Sequence, residues 1–184
     1  MLTEIRWHGR GGQGIVTISR LLAEAALTEG KHVQSFPEFG PERTGAPIKG
    51  FTRIGDEPID IHTQVYTPDI VVVLDPTLLK NIDVTEGLVK GGKILLNTEK
   101  SPEEMKKELK IENAKVYTVN ARRIALDLLG RPIYNTAMLG ALIRVSNLTS
   151  LDSVKEVTRK RFKGSIAEKN VKVIERAYKE VSSS

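Results

Sequence analysis

Four glycines, Gly9, Gly11, Gly12 and Gly14, stand where a short alternating segment (Leu2, Ile5, Trp7) gives way to a helical pattern (Ile15, Ile18, Leu21, Leu22, Ala25, Ala26). A turn built this way lets the backbone come close to a ligand or another chain. The helix behind it offers unpaired N–H groups and a partial positive charge, which suit phosphate or carboxylate. Gly9, Gly11 and Gly14 have the G-x-G-x-x-G spacing of dinucleotide sites. That spacing predicts a strand, a tight turn and a helix, and therefore an α/β protein.

The rest of the chain supports that class. Strand-like runs cover Leu2 to Trp7, His32 to Phe36, Ile48 to Ile54, Ile70 to Leu74, Lys93 to Asn97 and Lys115 to Val119. The run Ile70-Val71-Val72-Val73-Leu74 is apolar at every position, as in a central strand covered on both faces. Helical patterns lie between them at Gln13 to Glu29, Thr77 to Val89, Pro102 to Leu109 and Ala121 to Leu129. This alternation predicts a Rossmann-like, mostly parallel sheet with helices on both faces. Gly30 and the Gly91-Gly92 pair read as helix stops.

Phe36 to Ile61 interrupts the alternation. Its prolines (Pro37, Pro41, Pro47, Pro58) and glycines read as an ordered loop leading into an inserted antiparallel hairpin, with Gly55-Asp56 as the turn. After Leu129 the pattern is helical: Asn135 to Val145, Asp152 to Phe162 and Asn170 to Val181, followed by a frayed Ser182-Ser183-Ser184 tail. We read residues 1–184 as a single domain, with an α/β core at 1–130 and a helical C-terminal part at 131–184.

Composition excludes several kinds of chemistry. The chain has no cysteine, so disulfides, thiol nucleophiles and thiolate-held zinc or iron–sulfur clusters are ruled out. His8, His32 and His62 form no short-range ligand pair, and no metal site is expected. The net charge of +5 favours anionic partners, but its lysines and arginines often stand beside acids, as in Glu103-Glu104-Met105-Lys106-Lys107. Aromatics make up only 5% of the chain, so a basic stripe interleaved with stacking rings is not formed and nucleic acid is not expected. No apolar run approaches the roughly 20 residues of a membrane span, and no basic-then-apolar leader opens the chain. These features point to a cytoplasmic protein without membrane contact.

The dinucleotide reading then meets a difficulty. Its second strand should end in an acid for the ribose hydroxyls, about 20 residues past the glycines. Here that strand reads His32-Val33-Gln34-Ser35, and the next acid, Glu38, lies beyond Pro37. Arg10 and Gln13 also bring a guanidinium and an amide into a turn that a pyrophosphate needs bare.

Four stretches, in order, carry a different resemblance: Gly9-Arg10-Gly11-Gly12-Gln13-Gly14; Gly40-Pro41-Glu42-Arg43-Thr44-Gly45-Ala46-Pro47; the Asp69 to Leu74 strand ending in Asp75-Pro76; and Asn135-Thr136-Ala137-Met138-Leu139-Gly140-Ala141. Together they resemble the gamma subunit of the 2-oxoacid:ferredoxin oxidoreductases. The resemblance implies a share in a reaction that converts a 2-oxoacid (pyruvate foremost), coenzyme A and oxidised ferredoxin to acyl-CoA, carbon dioxide and reduced ferredoxin, an activity of EC class 1.2.7. It implies that thiamine diphosphate with Mg2+ and the [4Fe-4S] clusters belong to the alpha, beta and delta (ferredoxin-like) partner chains. It implies no catalytic residue here, only a contribution to assembly and to the coenzyme A pocket.

The residues expected at that pocket are Gly9, Arg10, Gly11, Gly12, Gln13 and Gly14, then Glu42, Arg43, Thr44 and Gly45, then Asn135 and Thr136. Arg10 and Gln13 offer charged and amide donors to phosphate, and Arg43 is a second cation for phosphate or for an acid on a partner chain. Family members often carry Arg where Thr44 stands, so no guanidinium role is implied there. Asn135 and Thr136 also suit a helix cap. Two other readings stay open: a stand-alone Rossmann-like nucleotide-binding protein, and a purely structural subunit whose glycine turn packs on a neighbour without a ligand.

Overall fold

Trp7 shows how the sheet is assembled. It lies in β1 (Leu2–Arg10), fully buried, and its indole Nε1 donates to Thr52 Oγ1 of β3 (Pro47–Gly55) at 2.9 Å. Strand alternation sends Ile5 and Trp7 to one face of β1, and Arg6 and His8 to the other. The computed structural model describes residues 1–38 and 43–184. The remaining strands among these are β2 (His32–Pro37), β4 (Ile70–Val73), β5 (Lys93–Asn97), β6 (Lys115–Val119) and β7 (Ser182–Ser183).

The strands form one sheet in the order β2-β3-β1-β4-β5-β6-β7. β1, β4, β5 and β6 are mutually parallel, with Trp7 opposite Val72 and Val72 opposite Leu95. β3 is antiparallel to β1, and β2 is antiparallel to β3, so β2 again points the way of β1. Five of the seven strands thus share one direction, and the expected mostly parallel sheet is present.

Helices cover both faces, unequally. On one face Ile5, Trp7, Val72 and Leu95 pack with α1 (Ile15–Thr28), α3 (Ala121–Leu129), α4 (Asn135–Ser146), α5 (Leu151–Arg161) and α6 (Gly164–Glu180). On the other, Val71, Val73, Ile94 and Leu96 meet Met105 of α2 (Pro102–Glu108) and the loop residue Val84. The wholly apolar run at 70–74 is a central strand buried on both sides, as its composition requires. α4 and α6 approach closely at Gly140, where a Cβ would stand 2.2 Å from the Ile174 carbonyl oxygen. No helix among the described residues is long and apolar enough to cross a membrane.

Four local expectations are corrected. Thr77 to Val89 is a 3-10 turn (Pro76–Lys80) followed by irregular turns rather than a helix. Asp83 accepts the Thr85 amide at 2.9 Å, an Asx turn that competes with helix. The Arg6 guanidinium takes the Val84 and Glu86 carbonyls, and Gly87 is left-handed at φ 70°.

Gly55-Asp56 does not turn a hairpin. β3 pairs with β2 through the preceding connection, and Asp56 instead binds Lys31 and the N-terminal amine. The chain beyond it is tied down as irregular loop, with Ile59 and Ile61 carbonyls held by Gln34 and the Gln64 carbonyl by Arg53.

The serine tail is not frayed. Ser182–Ser183 pairs antiparallel with Thr118 and Tyr117 on the edge of β6. The last helix starts at Gly164, ahead of the expected Asn170, whose buried side chain bonds within the helix to the Ile166 carbonyl.

Candidate functional site

The parallel strands β1, β4, β5 and β6 end at the same edge, and their following segments leave in different directions. The turn after β1 leads into α1 on one face, whereas the segment after β4 carries Val84 to the opposite face. Such a divergence opens a crevice at the carboxyl ends of the strands, the usual ligand position in open α/β sheets. A cavity of about 700 Å³ lies there, walled by Gln13, Thr77, Thr98, Arg122 and Tyr134 among others.

A larger cavity, about 950 Å³, lies at the opposite edge near Glu29, Lys31 and Lys93. Three of its charged side chains are already engaged: Lys31 with Asp56, Lys93 with the Val145 carbonyl, and Glu29 with Thr149 and Ser150. The smaller crevice is therefore the better candidate.

The glycines are explained first by contacts within the chain. A Cβ on Gly11 would lie 2.4 Å from the Arg43 carbonyl oxygen, because Gly11 and Thr44 form a parallel bridge. The Gly11 amide donates to Ala46 O at 2.8 Å, and the Gly45 amide donates back to Gly11 O at 3.0 Å. Gly14 is left-handed at φ 81°, and its missing Cβ leaves room for the Asn135 amide, which donates to Gly14 O at 3.3 Å. The glycine turn, Arg43 to Gly45 and Asn135 are thus brought together. Gly12, at φ 89°, is the exposed member and lines the crevice.

Arg10 and Gln13 face inward, onto Asp75. The Arg10 guanidinium donates to Asp75 Oδ2 at 3.1 Å, Thr77 Oγ1 at 2.9 Å and the Gly45 carbonyl at 3.1 Å. Gln13 accepts the Arg10 amide at 2.8 Å and donates to Asp75 Oδ2 at 2.8 Å and to the Tyr134 hydroxyl at 3.2 Å. Burial pushes the Asp75 carboxyl up, but hydrogen bonds from Thr77 and Gln13, with the Arg10 guanidinium beside them, hold it below the ordinary carboxylate range. Burial and the Asp75 charge push the Tyr134 phenol up, so it stays protonated at neutral pH.

The remaining expected residues divide. Arg43 and Thr44 are exposed beside the turn. Thr136 is not at the site: it is fully buried and donates to Asn170 Oδ1 at 2.8 Å, joining α4 to α6. Neither Asn135 nor Thr136 is the helix cap, since the capping position of α4 falls on Tyr134, with no side-chain bond. Asn135 Oδ1 nevertheless accepts the Thr136 amide at 3.0 Å. Glu42 lies outside the described residues, as do Phe39, Gly40 and Pro41.

Sequence reasoning missed Asp75, Thr77, Asn97, Arg122 and Tyr134 as site residues. Asp75-Pro76 after an apolar strand was the available signal for a cap at a strand end; nothing local marked the others. Asn97 donates to Leu74 O at 3.0 Å and accepts the Ala121 amide at 3.1 Å, fixing the start of α3 to the ends of β4 and β5.

His8, just before the turn, is 1% exposed, and its Nε2 accepts from Arg6 Nε at 3.0 Å. Burial, together with Arg6 and Lys49, pushes its pKa down to about 3. The ring is neutral, consistent with a structural histidine.

The topology also removes the stand-alone dinucleotide reading. β3 lies between β1 and β2, so the end of β2 is a full strand away from where a ribose-binding acid belongs.

Comparison with known proteins agrees with this architecture. The family model described as pyruvate ferredoxin/flavodoxin oxidoreductase matches residues 4–180. The pyruvate/ketoisovalerate oxidoreductases common subunit gamma of Thermococcus kodakarensis is 54% identical over 177 residues, 96% of each chain. The crystal structure of pyruvate oxidoreductase subunit PORC from Thermotoga maritima superposes with a TM-score of 0.89 at 45% identity, covering 100% of this chain and 98% of that one. The fold also recurs, at 20% identity and a TM-score of 0.79, within 2-oxoglutarate:ferredoxin oxidoreductase from Magnetococcus marinus, whose structure holds 2-oxoglutarate, coenzyme A and succinyl-CoA; the match covers 97% of this chain and 30% of that longer one. Matched nearly end to end by the family model and by chains called gamma subunit or PORC, the protein belongs to the pyruvate ferredoxin/flavodoxin oxidoreductase family.

Proposed function

We propose that this gamma-type chain works inside a cytoplasmic, multisubunit 2-oxoacid:ferredoxin oxidoreductase, with pyruvate the foremost substrate, and that its strand-end crevice forms part of the coenzyme A pocket. The observation that carries this reading is the convergence of helix N-termini on the crevice. Gly12 and Gln13 before α1, Asn120 before α3 and Tyr134 before α4 all line it. α1 has no side-chain cap, so its first amides remain available to an anion, whereas at α4 the Thr136 amide is taken by Asn135 Oδ1. Coenzyme A, with a diphosphate and a 3′-phosphate, is the phosphate-bearing substrate of the reaction, and the Magnetococcus enzyme is a relative in fold with that molecule bound.

The chain has no cysteine to hold a cluster. In this reading the clusters, thiamine diphosphate and Mg2+ belong to alpha, beta and delta chains, and external ferredoxin meets the complex rather than this subunit.

Two measurements test the reading. A tagged chain should draw from its host a coloured complex that oxidises pyruvate in a coenzyme A-dependent manner; a colourless chain recovered alone overturns the subunit assignment. A photoreactive coenzyme A analogue should label this chain within the assembled complex, near residues 12–13, 75–77 or 120–134. Label confined to the other chains overturns the pocket assignment.

A further inference from the structure

Arg10 was the cation expected to meet a phosphate, yet its guanidinium is already bonded to Asp75, Thr77 and Gly45. Arg43 is exposed but does not wall the cavity. Arg122 does. It is the second residue of α3, and no side-chain hydrogen bond or ion pair engages it among the described residues. Its position is nonetheless fixed, because Asn97 Oδ1 receives the backbone amides of Ala121 and Arg122 at 3.1 and 3.4 Å. A guanidinium with all its donors available, on a backbone pinned to the sheet, suits bidentate phosphate recognition.

The surroundings agree with an ester phosphate rather than a bare multivalent anion. Asp75, a buried acid of the cavity wall, is neutralised by Arg10 and saturated by donors. Tyr134 OH accepts from Gln13 and retains its own proton for donation. Arg122 and Tyr134 both line this cavity, and the Arg122 charge opposes the upward push of Asp75 on the phenol. Glu99, exposed at the end of β5, is the other acid of the wall and suits a hydroxyl donor such as a ribose.

We infer that Arg122 and the Tyr134 hydroxyl, both lining the crevice, are its phosphate-positioning pair, and that Arg10 is a structural cation. The inference rests on the coenzyme A reading above and names the residues that serve it.

The test uses the assembled holoenzyme carrying Arg122→Gln, Arg122→Lys or Tyr134→Phe in this chain. Loss of a charged hydrogen bond at a partly exposed site predicts that Arg122→Gln raises the coenzyme A KM roughly tenfold, with kcat, the oxoacid KM and thermal stability unchanged. Arg122→Lys recovers part of the affinity, and Tyr134→Phe gives a smaller rise. An unchanged coenzyme A KM in Arg122→Gln overturns the inference. So does a change shared by kcat, the oxoacid KM and stability, which marks a structural role. If the photoreactive analogue still labels this chain while Arg122→Gln is silent, only the residue assignment falls; if labelling fails too, the pocket reading falls with it.

Discussion

Gln13 donates its side-chain amide to the Asp75 carboxylate at 2.8 Å, although the two residues are 62 positions apart and lie on different strand-end turns. The same carboxylate takes Arg10 Nε at 3.1 Å. This contact ties the glycine turn after β1 to the turn after β4 and fixes the floor of the crevice between them.

Asp75→Asn tests that tie while conserving shape. It removes the counter-charge of Arg10 and two charge-assisted bonds, one end of which is partly exposed. A loss of about 1–3 kcal/mol in unfolding free energy is expected, read as a lower denaturant midpoint at unchanged slope. An unaltered midpoint contradicts the role given to Asp75.

Gly14→Ala places a side chain on a left-handed residue, which costs about 1–2 kcal/mol, and directs its Cβ to within 2.3 Å of Asn135 Nδ2. Shortening the neighbour in Gly14→Ala/Asn135→Ala relieves the second effect and leaves the first. The double variant should therefore lose less stability than the sum of the two single changes, in a double-mutant cycle by chemical denaturation. Strict additivity contradicts the contact.

Gly140→Ala is the test of the α4–α6 seam. Alanine is favoured over glycine in a helix by about 1 kcal/mol, but here the added methyl meets the Ile174 backbone, which cannot swing aside as a side chain does. Overpacking costs of about 1–3 kcal/mol are common even against side chains, so a net fall in melting temperature is expected. A rise, as helix propensity alone dictates, contradicts the close approach.

His8 sets a pH dependence. Its pKa is about 3 in the folded chain, against 6.5 for an ordinary histidine. The unfolded chain therefore binds this proton first as pH falls, and stability present above about pH 6.5 declines by about 1.4 kcal/mol per unit below it, down to about pH 3. Between pH 6.5 and 5.5 the carboxylates contribute little, so His8→Gln should flatten that part of the stability profile. An unchanged slope in the variant contradicts the buried neutral histidine.

The glycine cluster and the apolar run at 70–74 made β1, α1 and the central strand legible, because both are local signals of covering and turning. The inserted strand was legible as a strand but not in its place: which of β2 and β3 lies beside β1 depends on cross-strand partners such as Trp7 and Thr52, which no local pattern states. The segment after Thr77 looked helical because its apolar spacing fits; only Arg6, 78 residues from Val84, explains why its carbonyls are bonded elsewhere. At the site, the glycines signalled closeness but not to what. The chain's own Arg43 and Asn135 occupy much of the space a ligand was expected to approach, whereas Arg122 and Tyr134 carried no motif and reach the crevice through Asn97, Gln13 and the α3–α4 connection.

The most direct test of the coenzyme A assignment is the structure of the assembled complex with coenzyme A bound. That assignment requires a phosphate of the ligand within hydrogen-bond distance of the Arg122 guanidinium or of the first amides of α1. Coenzyme A enclosed wholly by the other chains, with the crevice facing a protein surface or solvent, contradicts it.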